Sequence, residues 1–322
     1  MKAIVINELG NSSVLKQSES PEPTFGSNDV LVNNKSIGIN FIDIYHRTGV
    51  YPKETPFIPG VEGAGVVSKL GSEVTNLKVG DKVAYCMVPG SYAEFTAVPQ
   101  QKLVKIPDEI SFKDAAAVML QGMTAHYLLK STYPITKDSK ILIHAAAGGV
   151  GTLVVQIAKT IGAFVIATTS TEEKVKLVKE LGADVVINYT TTDFVAEVKK
   201  ATNNKGVDVV YDSVAKNTYL GSLDCLRPRG YFVLFGQSSG VIENFNPALL
   251  ANKGSLFMTR PSLGHYIATP EELDERSSDL FNWMREGKLK IIIDSEIPLS
   301  EASTSHDRLE NRLNKGKVLL KL

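Results

Sequence analysis

Residues Lys140 to Ala158 read K-I-L-I-H-A-A-A-G-G-V-G-T-L-V-V-Q-I-A. The largely apolar run Ile141 to Ala145 enters a turn of small residues, Ala146-Ala147-Gly148-Gly149-Val150-Gly151. Leu153, Val154, Ile157 and Ala158 then recur at helical spacing. Strand, tight turn and helix is the context in which a dinucleotide fingerprint has a mechanism. The free N–H groups and the positive dipole end of the helix attract a pyrophosphate. The motif is A-x-G-x-x-G. Ala146 stands where the first glycine makes the turn, which a methyl permits while φ stays negative. Gly148 lets the backbone approach phosphates, and Gly151 lets the helix pack closely on its strand. Gly148, Gly149, Val150 and Gly151 are therefore the expected pyrophosphate cradle, and redox chemistry by hydride transfer is the expected activity.

The following strand, Ala163 to Ser170, ends in Thr168-Thr169-Ser170-Thr171, with Lys174 four residues past Ser170. A site that prefers NAD places an acid near this point to hold the ribose hydroxyls. A hydroxyl and an ammonium bind a 2′-phosphate that a carboxylate would repel. Glu172 and Glu173 fall on the opening turn of the next helix, where they serve as cap and dipole residues. The pattern therefore predicts NADPH.

Outward from this motif, residues 140–260 alternate strand and helix. Strands are expected at 141–145, 164–169, 185–189, 207–212, 231–235 and 255–259. Helices are expected at 151–161, 171–181, 193–201, 217–226 and 246–252. This is a doubly wound parallel sheet. Upstream, short strands are expected at Ala3–Ile6, Val30–Ser36, Gly63–Leu70, Lys82–Tyr85, Tyr92–Val98 and Leu103–Ile106, a spacing that fits a small barrel or sandwich. Asp114 to Leu129 is helical in character with a break at Gly122. The tail predicts a helix over 271–286, a strand over 288–296, a helix over 300–313 and a last strand, Lys317–Leu322, packed back onto the first domain.

A length of 322 residues fits about two domains. The 35 basic residues balance 35 acidic ones, so no whole-chain field draws in nucleic acid or anionic membrane. Cys86 and Cys225 are far apart and lack metal-site spacing, which favours idle thiols in a reducing compartment. No apolar run approaches the ~18 residues of a membrane span. A cytoplasmic location is expected.

Several segments together carry a family resemblance. They are Ile37-Gly-Ile-Asn-Phe-Ile-Asp-Ile-Tyr45, Pro59-Gly-Val-Glu-Gly-Ala-Gly65, His144-Ala-Ala-Ala-Gly-Gly-Val-Gly151, Val186-Ile-Asn-Tyr189, Tyr211-Asp-Ser-Val214 and Thr259-Arg-Pro-Ser-Leu263. Over essentially its whole length the chain resembles the zinc-independent quinone oxidoreductases of the medium-chain dehydrogenase/reductase superfamily, the group containing zeta-crystallin. The resemblance implies a GroES-like β-barrel domain, residues 1–125 completed by 265–322, and a Rossmann domain, residues 126–264. It implies NADPH in the cleft between them and a quinone or similar conjugated carbonyl as acceptor. Lys174 and Tyr189 would hold the 2′-phosphate, with Ser170 nearby. Asn40, Tyr45 and Tyr51 would border the nicotinamide and acceptor pocket. Thr124, Ser213, Phe235, Gly236 and Ser238 would also contact the cofactor, with Arg260 and Arg312 as cofactor or cleft arginines. A homodimer that continues the sheet through the edge strand Leu256–Arg260 is expected as well.

Related alcohol dehydrogenases ligate zinc with a cysteine in the segment matching Gly38–Asp43 and a histidine in a G-H-E motif. Here Asn40 holds the first place and the second segment reads Gly60-Val61-Glu62. Without thiolate or imidazole there, a tetrahedral site is not expected. An electron-poor quinone needs less activation than an alcohol, so the protein chiefly orients the reactants and excludes water. Asn40 and the tyrosine hydroxyls are expected to donate hydrogen bonds to an acceptor oxygen; Asn40 could alternatively cap a turn, and the tyrosines could be plain packing aromatics. His144 is expected to be a satisfied interior imidazole. His46 lies near the proposed pocket, and Asp43 is expected to orient backbone or Arg47. His126, His265 and His306 suggest no partner. Two alternatives stand beside quinone reduction: an NADPH-dependent alkenal or enone reductase, and a cofactor-binding structural or RNA-associated protein of the zeta-crystallin kind.

Overall fold

The computed structural model describes residues 1–322. The chain divides into two compact units. The first comprises residues 1–123, 267–285 and 291–322; the second comprises 124–266 and 286–290.

In the first unit, β1 (Lys2–Val5) and β2 (Lys16–Glu19) form an antiparallel pair. The long strand β3 (Asp29–Gly38) leads into helix α1 (Phe41–Thr48). β4 (Glu62–Leu70), β5 (Lys82–Cys86), β6 (Phe95–Pro99) and β7 (Leu103–Lys105) follow, then helix α2 (Phe112–Tyr127). β3 pairs with β4 along one edge; its other edge is shared between β6, at Asp29–Asn33, and the C-terminal strand, at Ile37–Gly38. Val30, Val32, Val67, Val83, Tyr85 and Val98 bury one core here.

The second unit alternates as the hydrophobic pattern predicts. It runs β8 (Lys140–Ile143), α3 (Gly149–Ile161), β9 (Phe164–Thr169), α4 (Glu172–Glu180), β10 (Val185–Asn188) and α5 (Phe194–Ala201). It continues with β11 (Val207–Asp212), α6 (Tyr219–Cys225), β12 (Leu226–Leu234), α7 (Ala248–Asn252) and β13 (Phe257–Thr259). The sheet order is β10-β9-β8-β11-β12-β13, with every neighbour parallel. The chain order reverses between β8 and β11, the switch point beside which open α/β sheets bind ligands.

The tail returns to the first unit. α8 (Pro270–Arg285) and α9 (Ala302–Glu310) flank β14 (Ile293–Pro298), and β15 (Lys317–Lys321) pairs with both β14 and β3. Residues 286–290 are the exception. Lys290 donates its N–H to Gln156 Oε1 at 2.8 Å and accepts from Gln156 Nε2 at 3.0 Å, so this short piece joins the second unit.

Several expectations are corrected. The strand expected at Tyr92–Val98 begins at Phe95, because the Tyr92 N–H is spent on Pro59 O and that of Ala93 on Ser91 O. The strand expected over 288–296 lies at Ile293–Pro298. β12 starts at Leu226, not 231, with a register irregularity opposite Val207–Val209. β2 and α1 have no counterpart among the expected elements. Gly122 does not break α2. An added Cβ there would come within 2.7 Å of Val118 Cγ2 and 3.0 Å of Leu280 Cδ1, so glycine admits α8 at close range.

Candidate functional site

Because the six strands of the second unit are parallel, their carboxyl ends share one edge, and the expected cofactor residues follow those ends. Gly148–Gly151 follow β8, Ser170 and Lys174 follow β9, and Tyr189 follows β10. Ser213 follows β11, Phe235, Gly236 and Ser238 follow β12, and Arg260 follows β13. Thr124 is buried in the last turn of α2, and Arg312 lies just past α9 in the first unit with φ +56°.

The fingerprint turn has the shape an anion needs. Gly148 is the N-cap of α3, no side chain caps that helix, and no acid occupies its first turn. Its terminal N–H groups are thus left for a ligand. A Cβ at Gly151 would lie 2.5 Å from Ala145 O and 2.6 Å from Ala146 Cα, so only glycine lets α3 approach β8 this closely. The left-handed residue of the turn is Ala145, at φ +52°, rather than Ala146. Beneath it, His144 is a satisfied interior imidazole. Its ring nitrogens meet Thr168 Oγ1 at 2.9 Å and Ser222 Oγ at 3.0 Å. The Ser222 proton goes to Asp212, so Ser222 accepts from His144 Nε2 and His144 Nδ1 accepts from Thr168.

At the end of β9, Thr171 caps α4 by accepting from the Lys174 N–H. Glu172, in the first turn, accepts from Asn188 Nδ2 at 2.6 Å and is held by a neighbour on β10. Ser170 and Lys174 are half-buried and Tyr189 is 38 % exposed. One hydroxyl, one ammonium and one phenol at the ends of adjacent strands are the donor set a phosphate monoester requires. The residues present fit NADPH.

In the first unit, α1 is held by two buried polar networks. Asn40 and Asp43 form a capping box: the Asn40 N–H donates to Asp43 Oδ2 at 2.9 Å. The Asn40 side chain reaches elsewhere too. Its Oδ1 accepts from Lys317 Nζ at 2.9 Å and Gln121 Nε2 at 3.2 Å, and its Nδ2 donates to Glu62 Oε2 at 2.8 Å. Lysine only donates and a carboxylate only accepts, so the amide orientation follows from chemistry. Its second amide hydrogen points to Gly38 O at 3.4 Å. In this arrangement the Asn40 side chain holds α1 in place.

The second network is directional. Arg47 NH1 donates to His306 Nδ1 at 3.2 Å, so that nitrogen carries no proton. His306 Nε2–H then donates to Tyr92 Oη at 3.0 Å, and the Tyr92 hydroxyl donates to Asp43 Oδ2 at 3.0 Å. Burial and the Arg47 charge push the His306 imidazole down to about 3, which keeps it neutral. Burial pushes the Asp43 carboxyl up to about 7 against the opposing pull of its hydrogen bonds, and its Oδ1 has no partner. Of its two expected roles Asp43 takes the first, orienting backbone through the Asn40 N–H, while Arg47 pairs with Glu310 at 2.7 Å.

On the C-terminal half of α1 and the loop beyond it, Tyr45 and Tyr51 meet edge-on with centroids 5.1 Å apart, and His46 and Tyr51 lie 6.1 Å apart. Burial and the charge of Lys53 lower the His46 pKa, leaving a neutral ring at neutral pH. The sequence reading missed Lys317, Tyr92 and His306. A positive residue inside the apolar strand Lys317–Leu320 was the one available signal, since a lysine buried there demands a carboxylate.

Residues 26–108 match the alcohol dehydrogenase GroES-like domain, and residues 149–280 match the family described as zinc-binding dehydrogenase. A quinone oxidoreductase of Pseudomonas aeruginosa is 43 % identical, with 99 % of each chain covered. A 2-haloacrylate reductase of a Burkholderia species is 41 % identical over 99 % of this chain and 98 % of that one. The crystal structure of Escherichia coli quinone oxidoreductase complexed with NADPH matches with a TM-score of 0.98 and 43 % identity, covering 100 % of both chains. The chain belongs to the quinone oxidoreductase family of the medium-chain dehydrogenase/reductase superfamily.

In this quinone oxidoreductase family member, the two places where zinc-dependent relatives carry a cysteine and a histidine hold Asn40 and the buried Val61. The glutamate that follows, Glu62, is joined to Lys317 at 2.6 Å. An ammonium thus pairs with the Glu62 carboxylate, and it also occupies the Asn40 oxygen. No helix is long and apolar enough to cross a membrane.

Proposed function

We propose that this protein reduces quinones by holding NADPH and the acceptor together so that a hydride passes directly from the nicotinamide to the quinone, without a metal. One observation carries the reading. The uncapped glycine turn of α3 and the cluster Ser170, Lys174 and Tyr189 share the carboxyl edge of one parallel sheet. The full-length kinship with quinone oxidoreductases supports it.

When bound, NADPH supplies the hydride. The N–H groups of Gly149, Val150 and Gly151 receive the pyrophosphate, and Lys174, with Ser170 and Tyr189, receives the 2′-phosphate. Thr124, Ser213, Phe235, Gly236, Ser238 and Arg260 hold the rest of the dinucleotide, with Arg312 as a further anion contact. Tyr45 and Tyr51 offer an aromatic surface and hydroxyl donors to the acceptor as negative charge develops on its oxygen. Asn40 keeps α1, and with it Tyr45, in register. Purified protein mixed with NADPH and a para-quinone should consume the reduced nicotinamide; no consumption despite nucleotide binding would refute the reading.

A second reading, reduction of a conjugated carbon–carbon double bond, is favoured by the 41 % identity to a 2-haloacrylate reductase. Assays with enals and acrylates in parallel separate the two. Balanced charge argues against nucleic acid as a partner. Both cysteines are buried free thiols, which supports a reducing, cytoplasmic location. The edge strand β13, where Phe257 is 50 % exposed and stacks on Tyr231 at 4.7 Å, supports a homodimer that continues the sheet. Sedimentation at micromolar concentration should then show a dimer, and a pure monomer would exclude that assembly.

A further inference from the structure

Lys53 lies two residues beyond Tyr51, in the loop between α1 and β4. Its Nζ sits 5.2 Å from the centroid of Phe57, a cation–π contact. The ring is fixed in place: Phe57 and Ile6 exchange both backbone hydrogen bonds, at 2.9 and 3.1 Å. Lys53 is half-buried, yet it makes no ion pair and no hydrogen bond. Lys317, Lys159 and Lys253 are each joined to a carboxylate, and the half-buried Lys82 and Lys102 donate to backbone carbonyls. Two titratable groups lie close to Lys53, and of these Asp43 attracts its charge without pairing with it. Asp43 is pushed toward its neutral form by burial, and His46 is held neutral.

The neighbourhood is therefore a pair of tyrosines in edge contact, an uncharged imidazole, and one ammonium that makes no ion pair. A flat conjugated molecule suits the rings, and a negatively charged substituent suits the ammonium. We propose that Lys53 is a specificity residue that selects acceptors carrying an anionic group, such as a carboxylate or sulfonate, beside the conjugated system. This rests on the placement of Tyr45 and Tyr51 at the acceptor under the proposed function.

The test compares 1,4-naphthoquinone with its 2-sulfonate as acceptors for NADPH oxidation, in the native protein, Lys53→Met and Lys53→Arg. The sulfonate alters the reactivity of the ring, so the quantity read is the ratio of kcat/KM for the charged acceptor to that for the neutral one. That ratio should fall about tenfold in Lys53→Met and be largely restored in Lys53→Arg, as for one charge-assisted contact. In the native protein it should decline with added salt. An unchanged ratio in Lys53→Met, with both acceptors turned over, would overturn this inference and leave quinone reduction standing. Failure of the native protein to oxidise NADPH with either acceptor would remove the proposed function and this inference together. Thermal unfolding of each variant separates a loss of fold, which lowers both rates, from a loss of selectivity.

Discussion

Lys317 Nζ lies 2.6 Å from Glu62 Oε2, with the lysine side chain 1 % and the glutamate side chain 0 % exposed. The two residues are 255 positions apart. A buried pair of this kind is weak evidence of net stabilisation, because both ions are stripped of water. It is strong evidence of constraint. Glu62 Oε1 also accepts the Leu120 N–H at 2.5 Å, and Lys317 also binds Asn40. One ion pair thus ties β4, β15, α2 and the start of α1 together.

Breaking this pair from one side leaves a lone charge without solvent. Lys317→Met and Glu62→Gln should each destabilise the fold by about 3–5 kcal/mol. Combining them should cost clearly less than the two single effects added, because the double variant leaves no unpaired ion. Chemical denaturation of the set measures this, and additive losses would show that the groups do not act as a pair.

The Asp43 carboxyl titrates near 7 in the folded chain and near 3.8 unfolded. Between those values the folded state binds the extra proton, so its contribution to stability is complete below the unfolded pKa and is lost as pH rises through about 7. Asp43→Asn removes this dependence. The stability difference between native protein and variant should therefore shift in the variant's favour by about 2 kcal/mol from pH 5 to pH 8. His306, depressed to about 3, gives the opposite slope in both proteins and cancels in the comparison. Urea unfolding at the two pH values reads it; a difference that does not move with pH would place the Asp43 pKa in the ordinary carboxylate range.

Lys174→Ala should weaken NADPH binding by roughly 1–3 kcal/mol, as for a lost charge-assisted contact. NADH affinity should barely change. Titration calorimetry with both coenzymes decides the matter, since equal losses would remove Lys174 from the phosphate site.

Gly151→Ala places a methyl against Ala145 O and Ala146 Cα, both of them backbone atoms that cannot swing aside. The variant should lose about 1–3 kcal/mol of stability through overpacking. α3 must also move off β8, so NADPH affinity should drop. A variant with native melting temperature and native affinity would show that the turn is looser than its geometry requires.

The sequence by itself determined the alternating architecture of residues 140–260, the fingerprint turn, and the set of residues that end the parallel strands. These signals are local. A strand's apolar run, a glycine turn and a helical repeat are each complete within about twenty residues, and parallel pairing then forces the strand ends onto one edge. The same reading led to Ser170 and Lys174, while Tyr189 came from the family resemblance. Only the tertiary structure decided what Asn40, Asp43, Arg47 and Lys53 do. Their partners, or the lack of them, depend on β15, α9 and the loop bearing Tyr92, which are brought together by folding and not by spacing. A polar side chain declares its role through whichever group it meets once water is gone, and the sequence contains the groups but not the meeting.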